Sequence, residues 1–261
     1  MHFLSQHKKE PIVKGPGVTE VVKLSRYFDG IKDTPVDTDV YFLEGEKPGG
    51  TVLILGGTHN NEPAGKLTTI LIVENAIVNE GRLIVIPCAN ESGATHTDSG
   101  EGYPSKYHIK TEWGSRWFRF GSRFTNPIHQ WPDPVVYDHY PSGQKLSGED
   151  ARNLNRTYPG KSNGFLIQKL AFAIVELVRK ENADMTIDLH EARPMSPLVN
   201  AIVAPEISQN IAALATIYLE CKGIKIRLEP SPEKMRGLSH RELADNTETI
   251  PILMETANPI M

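Results

Sequence analysis

Cysteine is scarce in this chain: Cys88 and Cys221 are the two present among 261 residues. Two cysteines do not make a disulfide framework, and neither has a second cysteine at the spacing of a metal site. We therefore expect two buried or free thiols. The low cysteine content favours the cytoplasm, with a periplasmic or secreted location open if a signal peptide has been removed.

The sequence also lacks a basic excess and a long apolar run. Its net charge is −4 and its pI is about 6.2, whereas proteins that mainly bind nucleic acid usually carry a basic excess. The longest apolar stretch, residues 67–78, is interrupted by Glu74 and Asn75 and is too short to span a bilayer. Residues 1–13 contain no apolar run of signal-peptide length. We therefore expect neither a nucleic-acid partner nor a membrane span.

Short β-forming runs alternate with helical periodicity along most of the chain. Helices are predicted over residues 64–78, 164–181, 207–221 and 238–244. Strands are predicted over residues 18–24, 39–43, 51–55, 82–87, 184–189, 199–204, 224–228 and 250–255. This alternation is typical of an α/β three-layer sandwich with a central mixed, mostly parallel sheet of about eight strands. Because no linker divides the chain, we predict a single catalytic domain over residues 1–261.

Residues 91–150 interrupt this alternation. The segment is rich in glycine, proline, serine and aromatic residues and shows no sustained periodicity. A structureless loop of this length is unusual in a compact domain unless it is functional. We interpret it as an insertion that covers a site and contains short helices, with a solvated excursion as the alternative.

Two polar motifs stand at the ends of predicted strands. His59 and Glu62 follow one strand, and His190 closes a second in the run Asp188-Leu189-His190. In open α/β sheets, ligands collect at the carboxyl ends of strands. Two histidines and one carboxylate leave one tetrahedral position of a zinc ion for water, as in catalytic zinc sites. The alternatives are a surface turn with a solvated Glu62, a hydrogen-bonded core His190, and other ligands from the histidines of the insertion, His96, His108, His129 and His139.

Two further segments carry groups suited to catalysis. Arg156 offers a planar, two-pronged donor for a carboxylate, and Asn155 adds a neutral donor beside it. Glu255 ends an apolar strand, where partial desolvation would raise its pKa toward that of a useful general base. The alternatives are a solvated Arg156 in the turn before a helix and an edge-strand Glu255 in water.

Taken in this order, the four segments resemble the succinylglutamate desuccinylase/aspartoacylase family of the zinc carboxypeptidase clan. That family carries H-x-x-E after an early strand, D-L-N-R-x-F-P-G, D-L-H at a later strand, and a glutamate ending a late strand. The corresponding residues lie within about residues 50–258. The resemblance implies one Zn²⁺ per chain bound by His59, Glu62 and His190, Glu255 as the general base, and Asn155 and Arg156 as the site of the substrate carboxylate.

The sequence departs from this family in three ways. Asn153 replaces the usual aspartate, and Gly148 stands nearest to the position of the family's oxyanion arginine. Arg152 is the nearest candidate for that role, and the insertion offers others: Arg116, Arg119 and Arg123. The family often has a β-rich domain after the glutamate, which we do not expect in this chain, so the insertion would act as the lid.

The leading hypothesis is a zinc-dependent hydrolase that cleaves an amide bond of an N-acyl amino acid or a similar small carboxylate. A zinc carboxypeptidase acting on the C-termini of peptides or cell-wall peptides is the first alternative. A zinc-binding protein without catalytic activity is the second. The expected partner is a small carboxylate or peptide substrate, and a homo-oligomer is compatible with the sequence. Substrate contact and a structural role both remain open for Arg193, Arg236, His240 and Arg241.

Overall fold

The structure, a computed structural model, describes residues 8–99 and 104–258. Within these ranges the helices are α1 (Pro63–Asn75), α2 (Leu166–Lys180), α3 (Gln209–Cys221) and α4 (Ser239–Asn246). The strands are β1 (Glu20–Lys23), β2 (Asp39–Glu44), β3 (Lys47–Leu55), β4 (Glu80–Ile86), β5 (Lys106–Thr111), β6 (Gly114–Arg119), β7 (Val136–Asp138), β8 (Lys145–Ser147), β9 (Met185–Ala192), β10 (Ala201–Ala204), β11 (Arg227–Pro230) and β12 (Ile250–Ala257).

Eight of these strands form one central sheet in the order β1-β2-β4-β3-β9-β12-β10-β11. The pairs β4–β3, β3–β9, β9–β12 and β10–β11 are parallel. The pairs β1–β2, β2–β4 and β12–β10 are antiparallel. The inner strands are covered on both faces, which explains why they read as apolar runs in the sequence. The predicted mixed, mostly parallel sheet of about eight strands is confirmed.

Helices cover both faces of the sheet and make it the middle of three layers. On one face, α2 packs its apolar side chains against Leu53 and Ile84, and Leu243 of α4 joins the same core. On the other face, α1 packs against β2 and β4 through Val73, and α3 packs against β10 and β12 through Ala212. This division follows from the alternation of side chains along each strand. The predicted three-layer sandwich is confirmed.

The segment from residue 91 to 150 contains two small antiparallel hairpins, β5–β6 and β7–β8. Its helical content in the described residues is confined to single 3-10 turns, such as Gly93–Thr95 and Gly148–Arg152. These hairpins are too short for the periodicity that identifies longer strands. The assignment of this segment as an insertion within a single catalytic domain stays a prediction.

Several strand boundaries differ from those predicted, among them the end of β9 and the start of β11. β9 continues to Ala192, so His190 lies inside the strand and pairs with Glu255 of β12, whereas the pairing of β9 with β3 ends at Asp188. The strand predicted at 224–228 begins only at Arg227. The reason is that the N–H of Ile224 donates to the carbonyl of Leu219 at 3.0 Å, after a turn at Gly223 with φ +80°. This bond ends α3 in the usual manner of a helix C-terminus.

Among the described residues, no helix has both the length and the apolar character needed to cross a membrane.

Candidate metal centre and active-site cavity

A tight turn after β3 sets the positions of His59 and Glu62. Gly57 has φ +62°, and a Cβ there would lie 3.0 Å from the Cα of Cys88, so glycine is required by both conformation and space. Pro63 then opens α1, with Glu62 at the position that caps the helix. The turn therefore delivers both side chains to the carboxyl edge of the sheet.

Glu62 lies between two imidazoles. Its Oε1 is 2.8 Å from Nδ1 of His59, and its Oε2 is 2.8 Å from Nδ1 of His190. All three residues are almost fully buried, and the two rings meet edge to face with centroids 4.7 Å apart. The two Nδ1 atoms and the carboxylate therefore converge on one point.

Burial and mutual charge shift the pKa values of this cluster. Burial lowers the pKa of His59 to about 4, and the charge of Arg123 acts in the same direction. Burial works against ionisation of Glu62, but the two histidines hold its pKa well below the usual value. Burial opposes the charged form of His190, but the carboxylates of Asp188 and Glu62 raise its pKa well above 6.5.

The three side chains fit the donor set of a zinc site. One ligand atom from each of His59, Glu62 and His190 lies within 4.8 Å of the others. Nε2 of His59 is 2.9 Å from Oδ1 of Asn153, an acceptor that holds the ring proton on Nε2 and leaves a lone pair on Nδ1. Two histidines and one carboxylate are the protein ligands of a catalytic zinc with an open position.

Glu255 lies beside this cluster. β12 runs parallel to β9 with Glu255 paired to His190, so the two side chains project from the same face of the sheet. Burial raises the pKa of Glu255 to about 7. Its Oε2 is buried without a hydrogen-bond partner among the described residues. Because β12 lies between β9 and β10, Glu255 is not an edge-strand residue in water.

Asn155 and Arg156 line the same cavity. Oδ1 of Asn155 accepts a hydrogen bond of 2.8 Å from the N–H of Ser239, which leaves the amide Nδ2 to serve as a donor to a ligand. Nη1 of Arg156 donates to the carbonyl of Asn155 at 2.6 Å. Since this is the one hydrogen bond of the Arg156 guanidinium to the residues that the structure describes, its other N–H groups and the amide of Asn155 can donate to an anion in the cavity.

The structure does not bring Arg152 to this cavity. Its Nε is 2.7 Å and 3.0 Å from the two carboxylate oxygens of Asp133, and its Nη1 donates to the carbonyl of Thr125. Arg123 lines the cavity instead, with its Nη1 3.0 Å from Oε1 of Glu62. Which arginine reaches the cavity depends on long-range contacts of the insertion, so no local pattern in the sequence predicts it.

The other arginines of the insertion are also committed elsewhere. Arg116 donates two hydrogen bonds to the carboxylate of Glu74. Arg119 is fully buried and pairs with Glu10 and Glu91. Of the four arginines considered for stabilising an oxyanion, Arg123 is the one placed near the cluster.

Of the remaining histidines and arginines considered in the sequence, some line the cavity and others make hydrogen bonds or ion pairs elsewhere in the fold. The four insertion histidines do not line the cavity; His139, for example, is buried between the Ser142 hydroxyl and the Tyr158 carbonyl. Arg193 and His240 do line it. Arg236 pairs with the carboxylates of α4, and Arg241 donates to the carbonyl of Ser231.

The cavity has a volume of about 790 Å³, within the usual range for small-molecule sites. Polar groups gather at one end, where His59, Glu62, His190, Glu255 and Arg123 meet. Apart from Glu255 and His240, the wall formed by β10, β12, the segment before α4 and the start of α4 is apolar, with Val203, Leu253, Pro232, Met235 and Leu238.

No family model matches the chain, and no curated protein matches it in sequence. Solved structures do share its fold. An aspartoacylase family protein from Mesorhizobium loti aligns with a TM-score of 0.55 and 17% identity, over 96% of this chain and 65% of that one. A succinylglutamate desuccinylase/aspartoacylase from Rhodobacter sphaeroides aligns with a TM-score of 0.51 and 17% identity, over 84% and 51%.

A metallo-carboxypeptidase from Burkholderia cenocepacia aligns with a TM-score of 0.56 and 13% identity, over 98% of this chain and 58% of that one. This chain therefore spans between about half and two-thirds of the length of these three proteins. The resemblance inferred from the sequence motifs is confirmed at the level of the fold. The chain has the carboxypeptidase-like fold that succinylglutamate desuccinylase/aspartoacylase proteins share with metallo-carboxypeptidases.

Proposed function

We propose that this chain is a zinc-dependent hydrolase that cleaves the amide bond of an N-acyl amino acid or a similar small carboxylate. The observation that carries the proposal is the pairing of Glu255 with His190 across β9 and β12. It sets a carboxylate, whose Oε2 has no hydrogen-bond partner in the described part of the chain, beside the His59, Glu62 and His190 cluster, in the cavity that also contains Asn155 and Arg156.

Each group has a role that its surroundings support. His59, Glu62 and His190 would hold a zinc ion, which would supply Lewis acidity to lower the pKa of water and polarise a carbonyl. Glu255, with its pKa raised to about 7, accepts a proton from the attacking water and delivers it to the leaving amine. Asn155 and Arg156 hold the substrate carboxylate, and Arg123 stabilises the developing oxyanion.

The alternative is a carboxypeptidase that acts on a longer peptide. The exposed rim of the cavity supports this alternative. Met195, at the rim, is 97% exposed, and Arg193 near it is also exposed. A rim open to solvent leaves space for residues on the acyl side of the scissile bond. The volume of the cavity itself fits a small substrate, which is why we place the deacylase first.

The test combines metal content with turnover in the variant Glu255→Gln. Mass spectrometry of the wild type should find about one zinc per chain, which the double variant His59→Ala, His190→Ala should lose. Glu255→Gln should keep the zinc and lose turnover of N-acyl amino acids by at least about 100-fold. Wild-type chain without zinc after zinc supplementation, or full turnover by Glu255→Gln, would contradict the mechanism. Peptide hydrolysis without deacylation would select the alternative.

Glu191 provides a matched control. Burial also raises its pKa to about 7 and it lines the same cavity, but it alternates with His190 along β9 and accepts from the N–H of Ala64. Glu191→Gln should therefore retain both zinc and turnover. If Glu191→Gln lost turnover and Glu255→Gln retained it, Glu191 would be the general base.

A further inference from the structure

His240 is a buried polar residue in the apolar wall of the cavity, and none of the proposed catalytic steps uses it. The side chain lies on α4, is 2% exposed and lines the cavity. Its Nε2 is 2.8 Å from the hydroxyl of Ser231. Its Nδ1 is buried and has no hydrogen-bond partner among the described residues. A buried polar atom without a partner is uncommon in a native structure and calls for a specific explanation, such as a functional role.

The position of His240 relates it to the proposed carboxylate site. The preceding residue, Ser239, donates its backbone N–H to Asn155, so α4 begins directly behind the anion-binding pair. The lining of the cavity also contains the apolar residues Val203, Leu238 and Leu253, and the charges of Asp188, His190, Arg241 and Arg156 lie close enough to His240 to shift its pKa. A substrate whose carboxylate is held by Asn155 and Arg156 would therefore extend its side chain along this wall toward His240.

His240 is uncharged in this environment. Burial lowers its pKa to about 3, against the charge of Asp188, which acts in the opposite direction. A neutral imidazole has one donor and one acceptor nitrogen. Since the Ser231 hydroxyl can either donate to Nε2 or accept from it, Nδ1 can take the complementary role toward a ligand.

We propose that His240 is a specificity-determining residue that selects substrates whose carboxylate-bearing half has an apolar side chain ending in a neutral hydrogen-bonding group. An aliphatic side chain would leave Nδ1 of His240 buried without a hydrogen-bond partner, which would weaken the binding of that substrate. A charged side chain would have to leave water, and the neutral imidazole of His240 offers it no compensating charge. This inference rests on the proposed function, because it uses the carboxylate site at Asn155 and Arg156.

The test uses three ligands of similar length: N-acetylglutamine, N-acetylmethionine and N-acetylglutamate. Their binding is measured by calorimetry on zinc-loaded Glu255→Gln chain, in which slow turnover does not interfere. N-acetylglutamine should bind at least about tenfold more tightly than the other two. Equal binding of N-acetylmethionine, or tightest binding of N-acetylglutamate, would overturn the proposal while leaving the deacylase function intact. Failure of all three to bind would overturn the carboxylate site and the inference together.

Two substitutions of His240 form a matched pair in the same background. The amide of His240→Asn reaches the position of Nδ1, whereas that of His240→Gln reaches the position of Nε2 and can keep the bond to Ser231. His240→Gln should lose the preference for N-acetylglutamine, and His240→Asn should retain it. The reverse result would assign His240 a structural role through Ser231. Thermal denaturation of both variants separates lost selectivity from a lost fold.

Discussion

Nε2 of His59 lies 2.9 Å from Oδ1 of Asn153, an amide that stands where the resembled family carries an aspartate. The same oxygen accepts from the N–H of Asn155 at 3.0 Å, and Nδ2 of Asn153 lies 3.3 Å from a carboxylate oxygen of Asp150. These contacts determine which end of the amide faces His59. A neutral acceptor therefore orients this imidazole and makes Nδ1 available for a metal ion.

Removing this acceptor should weaken metal binding. Asn153→Leu keeps a similar volume but cannot accept from His59, so we expect zinc affinity to fall by about 10–100-fold. Asn153→Asp restores a carboxylate acceptor and should bind zinc at least as tightly as the wild type. Competition with a chromogenic chelator measures both affinities. Equal affinity of wild type and Asn153→Leu would show that the bond to Asn153 does not support the metal site.

Arg123 should matter for turnover and Arg152 should not. Arg123 lies 3.0 Å from Glu62, and in the proposed mechanism it stabilises negative charge on the substrate carbonyl. Arg123→Gln should lower kcat by about 10²–10³-fold and leave zinc content unchanged. Steady-state kinetics with an N-acyl amino acid provides the measurement.

Arg152→Gln is the matched control because its guanidinium is held by Asp133 and Thr125, outside the cavity. We expect it to reduce the midpoint of denaturant unfolding, since the carboxylate of Asp133 loses its partner. Its kcat should stay near that of the wild type. A large loss of kcat in this variant, with Arg123→Gln active, would assign the oxyanion role to Arg152.

A buried ionic cluster should make stability depend on pH in the acid range. Glu10 is 5% exposed, lies 3.3 Å from Nζ of Lys66 and pairs with Arg119. Burial alone would raise its pKa, but these two cations lower it to about 2 from a usual value of 4.5. Because the folded value lies below the unfolded one, the stabilisation is complete above pH 4.5 and is lost as the pH falls toward 2.

Glu10→Gln should therefore lower the free energy of unfolding at pH 7 by on the order of 3 kcal/mol. The difference from wild type should shrink as the pH falls from 4.5 toward 2, as measured by urea denaturation over this range. Glu20, in an exposed pair with Arg26, gives the control, since Glu20→Gln should cost less than about 1 kcal/mol. A pH-independent cost of Glu10→Gln would show that its charge is not the stabilising feature.

The sequence alone determined the architecture and the grouping of three side chains. Apolar runs such as 51–55 and 250–255 predict inner strands because strands covered on both faces have little place for polar residues. His59 and Glu62 stand directly after one such run, and His190 lies in another. The topology of α/β sheets brings the carboxyl ends of such strands together. The structure accordingly brings one ligand atom of each of these three residues within 4.8 Å of the others.

Only the tertiary structure decided which arginine reaches the cavity and what lines its apolar wall. Arg116, Arg119, Arg123 and Arg152 look alike in the sequence, and the placement of each depends on the distant carboxylate that binds it: Glu74, Glu10, Glu62 and Asp133, respectively. The register of β9 and β12, which sets Glu255 beside His190, also depends on distant parts of the chain. The same holds for the burial of Nδ1 of His240 without a hydrogen-bond partner among the described residues. Local periodicity reports which face of an element is buried, whereas ion pairs and cavities depend on which faces meet. Which faces contact each other is determined only when the whole chain packs.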